Sequence, residues 1–260
     1  MDASTQISLG QLLADAPRHL RTFAERTARL SKEEKGIRLS EMFFLYAAIA
    51  DLGPKRIIES GRARAQSTLV LSALFPAASI ISIESDPTSP DVAIAAERLK
   101  DQRNVECRFG DSRRLLPELL RAGDVVLIDG PKDFRALKLG LRLLRTGKPS
   151  AVFVHDLWHG TPARDFIDRH LPSAFLSDSA EWVQSYAALD SRGRMVPAYP
   201  ANARVVYGAT LGCFPASEEN YSVRSMQCAL AQGIDRLRAS ARKARRRSLP
   251  DRPADFTLAA

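Results

Sequence analysis

Six ionisable residues stand where short apolar runs of the chain come to an end. Arg56-Ile57-Ile58-Glu59 runs into Ser60-Gly61, and Ile80-Ile81-Ser82-Ile83 ends in Glu84. Residues Val105 to Phe109 lead to Gly110-Asp111-Ser112, Val125 to Ile128 end in Asp129-Gly130, and Ala151 to Val154 end in His155-Asp156. A carboxylate in such a place can accept two hydrogen bonds from a ribose diol. Glu84 lies 25 positions after Glu59, a normal spacing for a nucleoside cofactor. Asp129 and Asp156 are hard oxygen donors of the kind Mg²⁺ takes, and an ion between them would acidify a substrate oxygen. Lys132 is the expected general base, provided burial or a neighbouring cation lowers its pKa. His155 and His159 flank the second acid and are alternative bases.

The turn after the first run separates two classes of cofactor. A dinucleotide needs G-x-G-x-x-G, whose second glycine lets the backbone approach a pyrophosphate. Here the turn reads Gly61-Arg62-Ala63-Arg64-Ala65-Gln66, with Ala63 at that position and Gln66 at the last. S-adenosylmethionine has no phosphate, and its carboxylate asks only for a helix N-terminus and a hydroxyl, which Ser67 supplies. The turn therefore favours the methyl donor over NAD. Arg62 and Arg64 read as an exposed pair.

The elements that must carry these residues follow from periodicity. Strands apolar on both faces, separated by helical stretches at 67–74, 91–99, 113–120 and 134–144, imply a parallel sheet covered on both sides. The expected fold is α/β, a Rossmann-like, doubly wound, mostly parallel seven-stranded sheet. Before it the pattern predicts helices over about 9–30, with Leu12, Leu13, Leu20 and Phe23 inward, and over about 40–52. After it come a helix over 161–170, a strand near 173–177, a loop-rich stretch, a strand over 203–214 and a long helix over 221–247. The division expected is a helical cap (1–37), the sheet domain (38–215) and a basic C-terminal helix and tail (216–260).

In this order the segments resemble the catechol O-methyltransferase-like group of class I S-adenosylmethionine-dependent methyltransferases. Glu59 to Ser67 resembles the group's first motif, roughly E-x-G-x-x-x-G-x-S. Ser82 to Pro87 resembles its second strand end, Gly110-Asp111-Ser112 with Leu115 to Leu119 its adenine side, Leu127 to Asp133 its aspartate-and-lysine segment, and Val154-His155-Asp156 its second metal-binding strand end. The resemblance covers about residues 38–160. It implies that Glu84 holds the ribose, Ser112 with Asp111 the adenine side and Ser67 the methionine carboxylate. It further implies that Glu59, Gly61 and Asp129 adjoin the cofactor, that Lys132, Asp129 and His155 carry catalysis, and that Asp129 and Asp156 hold a metal. The chain departs from the pattern at Ala65, the second glycine of the motif, and at Leu157, where metal-dependent members place asparagine. Gly130-Pro131 stands where bulkier residues wall an aromatic pocket, which argues against a catechol. The expected reaction is methylation of a hydroxyl on a small molecule or sugar. The alternatives are an RNA-directed methyltransferase and a non-enzymatic nucleoside-binding descendant.

Composition sets the outer limits. The 260 residues, 45% hydrophobic and 26% charged, suit a soluble globular protein. The net charge is +8, but residues 235–252 alone carry +6, leaving +2 for the rest. Basicity thus belongs to the tail, and a polyanion contact through residues 236–247 stays open, as does a homodimer. Three scattered cysteines without a C-x-x-C pair fit a reducing compartment, so a cytoplasmic protein is expected. The N-terminus has no secretory pattern and the chain no transmembrane segment: the run from Phe43 to Ala50 is too short to cross a bilayer.

Overall fold

The computed structural model of the chain describes residues 8–33, 36–190, 210–217 and 219–248, with residues 242–248 described by backbone alone. Two helices come first, α1 (Leu9–Thr27) and α2 (Leu39–Ile49). Strands and helices then alternate: β1 (Arg56–Ser60), α3 (Gln66–Leu74), β2 (Ser79–Glu84), α4 (Asp91–Leu99), β3 (Val105–Phe109), α5 (Ser112–Leu119), β4 (Val125–Ile128), α6 (Phe134–Leu144), β5 (Ala151–Val154) and α7 (Pro162–His170). The remainder is β6 (Phe175–Leu176), α8 (Ala180–Tyr186), a 3₁₀ turn (Ala187–Asp190), β7 (Gly212–Pro215) and α9 (Tyr221–Ser248).

One seven-stranded sheet results, in the order β3-β2-β1-β4-β5-β7-β6. Its first five strands are parallel, and β7 runs antiparallel to β5 and β6. This is the Rossmann-like, doubly wound architecture expected. Strand order reverses between β1 and β4, and at such a switch point a crevice opens at the carboxyl ends of the strands.

Alternation along the strands divides the core. Ile57, Ile80, Val125, Leu127 and Phe153 pack with α1, α2 and α3, while Ile58, Ile81, Val126, Ile128, Val152 and Val154 pack with α5, α6 and α7. Each fully buried side chain of this size contributes about 1.5–3 kcal/mol. Because both faces are covered, the strands read as continuous apolar runs and not as alternating ones. β3 is the exception: it is the sheet edge, and Glu106 and Arg108 pair on its open side.

α2 is the helix that matters most for the site. Every residue from Ser40 to Ile49 is buried, including the acid Glu41. Glu41 accepts the Arg38 N–H at 3.1 Å, which closes a capping box at the helix start. α8 lies where a loop-rich stretch was expected. Ser179 caps it, and its Trp182, 1% exposed, stacks on Phe43 and meets Phe44 edge-on. Seven residues are too few for a helical period to be read, so contact with α2 sets this element. Asp190 then accepts the Ser40 N–H and Oγ–H at 2.9 and 2.6 Å.

Of the strand expected over 203–214, the described part is β7; residues 203–209 lie outside the described residues. Arg236 and Arg238 on α9 are exposed, and the side chains of Arg242 to Arg247 lie outside the description. No helix among the described residues is long and apolar enough to cross a membrane.

Candidate active site

The turn from β1 to α3 is built from backbone that L-residues avoid. Gly61, Ala63 and Ala65 have φ of 92°, 42° and 61°. Gly61 is required there: a Cβ on it would stand 2.5 Å from the Gly130 nitrogen. The strand ends of β1 and β4 therefore touch backbone to backbone and leave a bare floor. The N–H groups of Gly61 and Arg62 both donate to the Ile83 carbonyl, which ties the turn to β2. Two alanines in the left-handed region store about 1–2 kcal/mol each.

That turn also holds Glu84. One carboxylate oxygen accepts the Ala63 N–H at 2.9 Å, and the other accepts the Ser85 and Asp86 N–H groups at 2.7 and 3.3 Å. Backbone donors thus fix the acid at the rim of a cleft of about 630 Å³, lined also by Ser60, Gly61, Asp111, Ser112, Asp129 and Lys132. Asp111 caps α5 through the Arg113 N–H and pairs with the Arg113 side chain, whose hydrogen bonds hold its carboxyl below the usual range. Ser112, 8% exposed, opens that helix.

Glu59 and Ser67 are placed differently. Glu59 is fully buried, and its oxygens accept from the hydroxyls of Ser67 and Thr68 and, at 2.7 Å, of Ser82. Burial raises its carboxyl pKa, and the three hydroxyls work against that rise. The Ser67 hydroxyl is thereby directed inward, so Glu59 contributes to the cleft by locking the first turn of α3. Arg62 overturns the exposed reading: it is 3% exposed, donates to the Ser82 and Arg108 carbonyls, and lies 4.9 Å over the Phe109 ring. Arg64 pairs with Asp91 and Glu33.

At the ends of β4 and β5 a row of alternating charges runs out of the core. Glu41 Oε2 lies 3.3 Å from His155 Nε2, and His155 Nδ1 lies 2.8 Å from Asp129 Oδ1. Lys132 Nζ donates to Asp129 Oδ1 at 2.6 Å and meets Asp156 Oδ2 at 2.5 Å. Asp156 sits at φ 62°, and its Oδ1 accepts the Trp158 indole N–H at 3.1 Å. Burial alone would discharge His155, but the Asp129 and Glu41 carboxylates outweigh it and hold the imidazole pKa well above its ordinary value. Burial likewise opposes the Lys132 charge, and Asp129 with Asp156 overcomes it, so the ammonium pKa is raised and not lowered. Asp129 in turn is held below the usual range by His155 and Lys132 against its own burial. Burial pushes Glu41 up, with His155 opposing.

The structure therefore brings Gly61, Glu84, Asp111, Ser112, Asp129 and Lys132 to one cleft, with His155 and Asp156 adjoining through Asp129 and Lys132. His159 is drawn away to Asp178 at 2.9 Å, beside a separate cavity of about 650 Å³ that Arg164 also lines. Sequence reasoning missed Glu41. Its signal was present: one acid inside a helix otherwise apolar on every side.

No protein-family model and no curated protein matches the chain. Solved structures do. An SAH-bound methyltransferase from Podospora anserina is 19% identical, with 79% of this chain and 88% of that one covered at a TM-score of 0.43. An O-methyltransferase from Streptomyces achromogenes involved in tomaymycin synthesis, in complex with SAM, is 18% identical (84% and 100% covered, TM-score 0.44). An O-methyltransferase from Bacillus cereus in complex with SAH is 16% identical (78% and 90%, TM-score 0.43). At such identities the chemistry must come from the site's own residues.

Proposed function

We propose that this chain is an S-adenosylmethionine-dependent methyltransferase acting on a hydroxyl of a small molecule or sugar. The observation that carries the reading is Glu84, clamped by three backbone N–H groups at the end of β2 and facing an open nucleoside-sized cleft. The residues present fit the cofactor. The floor between Gly61 and Gly130 admits no side chain, and the buried Ser60 Oγ beneath the cleft has no hydrogen-bond partner among the described residues. When bound, the cofactor supplies a methyl group on a sulfonium.

Glu84 takes the ribose diol, and Asp111 with Ser112 borders the adenine. The Ser67 hydroxyl is engaged by Glu59, so the carboxylate end meets the first-turn N–H groups of α3 and their dipole. Lys132, between Asp129 and Asp156, lies at the part of the cleft left for the acceptor. Its ammonium first hands a proton to Asp156 Oδ2, 2.5 Å away, and the Nζ lone pair this frees then takes the hydroxyl proton, so that the lysine ends charged and Asp156 protonated. His155, fixed between Glu41 and Asp129, keeps Asp129 in place and ionised. Positioning of two reactants is most of what such a displacement requires.

A cytoplasmic setting fits three free thiols, Cys107, Cys213 and Cys228. The test is incubation of the purified protein with S-adenosylmethionine and a panel of hydroxylated acceptors, following S-adenosylhomocysteine. Acceptor-dependent product from wild type, and its loss in Glu84→Ala, is expected. Tight binding with no turnover on any acceptor would favour the non-enzymatic alternative.

A further inference from the structure

We infer that the Lys132 ammonium takes the place a divalent cation would fill between Asp129 and Asp156, and that this site works without a metal. The inference deepens the methyltransferase reading and rests on it for the meaning of the site, though not for the binding experiment below. Asp129, His155 and Asp156 do present donor atoms within 4.8 Å of one another. The donor set nevertheless fits Mg²⁺ poorly. That ion demands six ligands, nearly all oxygen, at about 2.1 Å in octahedral geometry. Here three of the four carboxylate oxygens already accept from N–H donors: Asp129 Oδ1 from Lys132 and His155, Asp156 Oδ2 from Lys132, and Asp156 Oδ1 from the Trp158 indole, which leaves Asp129 Oδ2 alone to an incoming ion.

The next residue along the chain offers nothing more. Leu157 is fully buried in the core, and its backbone N–H donates to the Thr210 carbonyl. His155 cannot turn to a metal without releasing Asp129 on one side and Glu41 on the other. Charge points the same way. Two aspartates balance one ammonium with a single negative charge to spare, whereas a divalent ion added beside Lys132 would leave the cluster positive and strongly self-repelling. A metal must therefore displace the lysine, and a lysine on a four-carbon stem, 43% exposed, can be displaced or removed without disturbing the core.

Manganese supplies the probe, read by the loss of the free-ion electron paramagnetic resonance signal. Wild type is expected to bind Mn²⁺ no better than millimolar. Lys132→Gln, which removes the ammonium from both carboxylates, is expected to bind at least tenfold more tightly, and Lys132→Gln with Asp156→Asn to lose that gain. Micromolar Mn²⁺ binding by wild type that Asp129→Asn abolishes would overturn the inference. So would equal, weak binding by wild type and Lys132→Gln, because the ammonium and a metal would then not compete for one place. Calorimetry with S-adenosylhomocysteine on the same proteins separates the two claims: failure to bind it sinks the methyltransferase reading and leaves the manganese result standing.

Discussion

At the scale of single residues, the same carboxylic acid serves opposite ends according to its surroundings. Glu59 is satisfied by three hydroxyls inside the protein, Glu84 by backbone N–H groups at a rim, and Asp129 by two cations. The consequence easiest to measure lies at His155. Folding raises its pKa above the ordinary 6.5, because Asp129 and Glu41 favour the imidazolium more than burial disfavours it. Its protonation thus stabilises the fold fully below that ordinary value, and the contribution fades as pH rises through the higher folded-state value. Unfolding free energy measured across neutral to alkaline pH should fall more steeply for wild type than for His155→Gln. Parallel curves for the two proteins would mean that the imidazole carries no charge in this row. The strand-end acids could be read from the sequence because each follows an apolar run directly. Their partners could not: Glu41 and His155 are 114 positions apart, and only the packing of α2 against β5 joins them.

At the scale of elements, the turn from β1 to α3 decides what the cleft admits. Gly61→Ala places a Cβ against Gly130 backbone, which neither strand can yield, and adds the cost of φ 92° to an alanine. It should lower unfolding free energy by about 1–3 kcal/mol in urea titrations and weaken nucleoside binding, whereas Gly53→Ala, with open space around it, should leave binding unchanged. Equal loss of nucleoside binding at the two glycines would show that the close approach of β1 and β4 is unimportant, because Gly53, at φ 54°, shares the backbone strain but not the contact. β1, β2, β4 and β5 could be located from their apolar runs alone, since burial on both faces leaves an uninterrupted pattern, and α4 and α6 from their helical period. The inward course of Arg62 could not. An arginine on a strand-to-helix turn looks solvated until the carbonyls of Ser82 and Arg108 and the Phe109 ring are brought to it by the sheet. α8 was hidden for a related reason: its stability comes from Trp182 against α2 and not from its seven residues.

At the scale of the whole molecule, charge and apolar surface are both unevenly spread. The tail holds most of the net charge, and α9 exposes Val223, Met226, Leu230, Ile234 and Leu237 along its length. Leu230 is 67% exposed, so Leu230→Glu should change unfolding free energy by less than about 0.5 kcal/mol. A larger loss that grows with protein concentration would reveal that this face is covered by self-association. The cleft, by contrast, is formed where strand order reverses, and its chemistry depends on a few residues at five strand ends. Of these Glu84 is the residue that would hold the nucleoside. Titration of S-adenosylmethionine into wild type and Glu84→Ala by calorimetry tests it most directly. Saturable binding to wild type is expected, with a loss of at least about tenfold (~1.4 kcal/mol) in the variant. Absence of binding to wild type, or equal affinity in the two proteins, would contradict it.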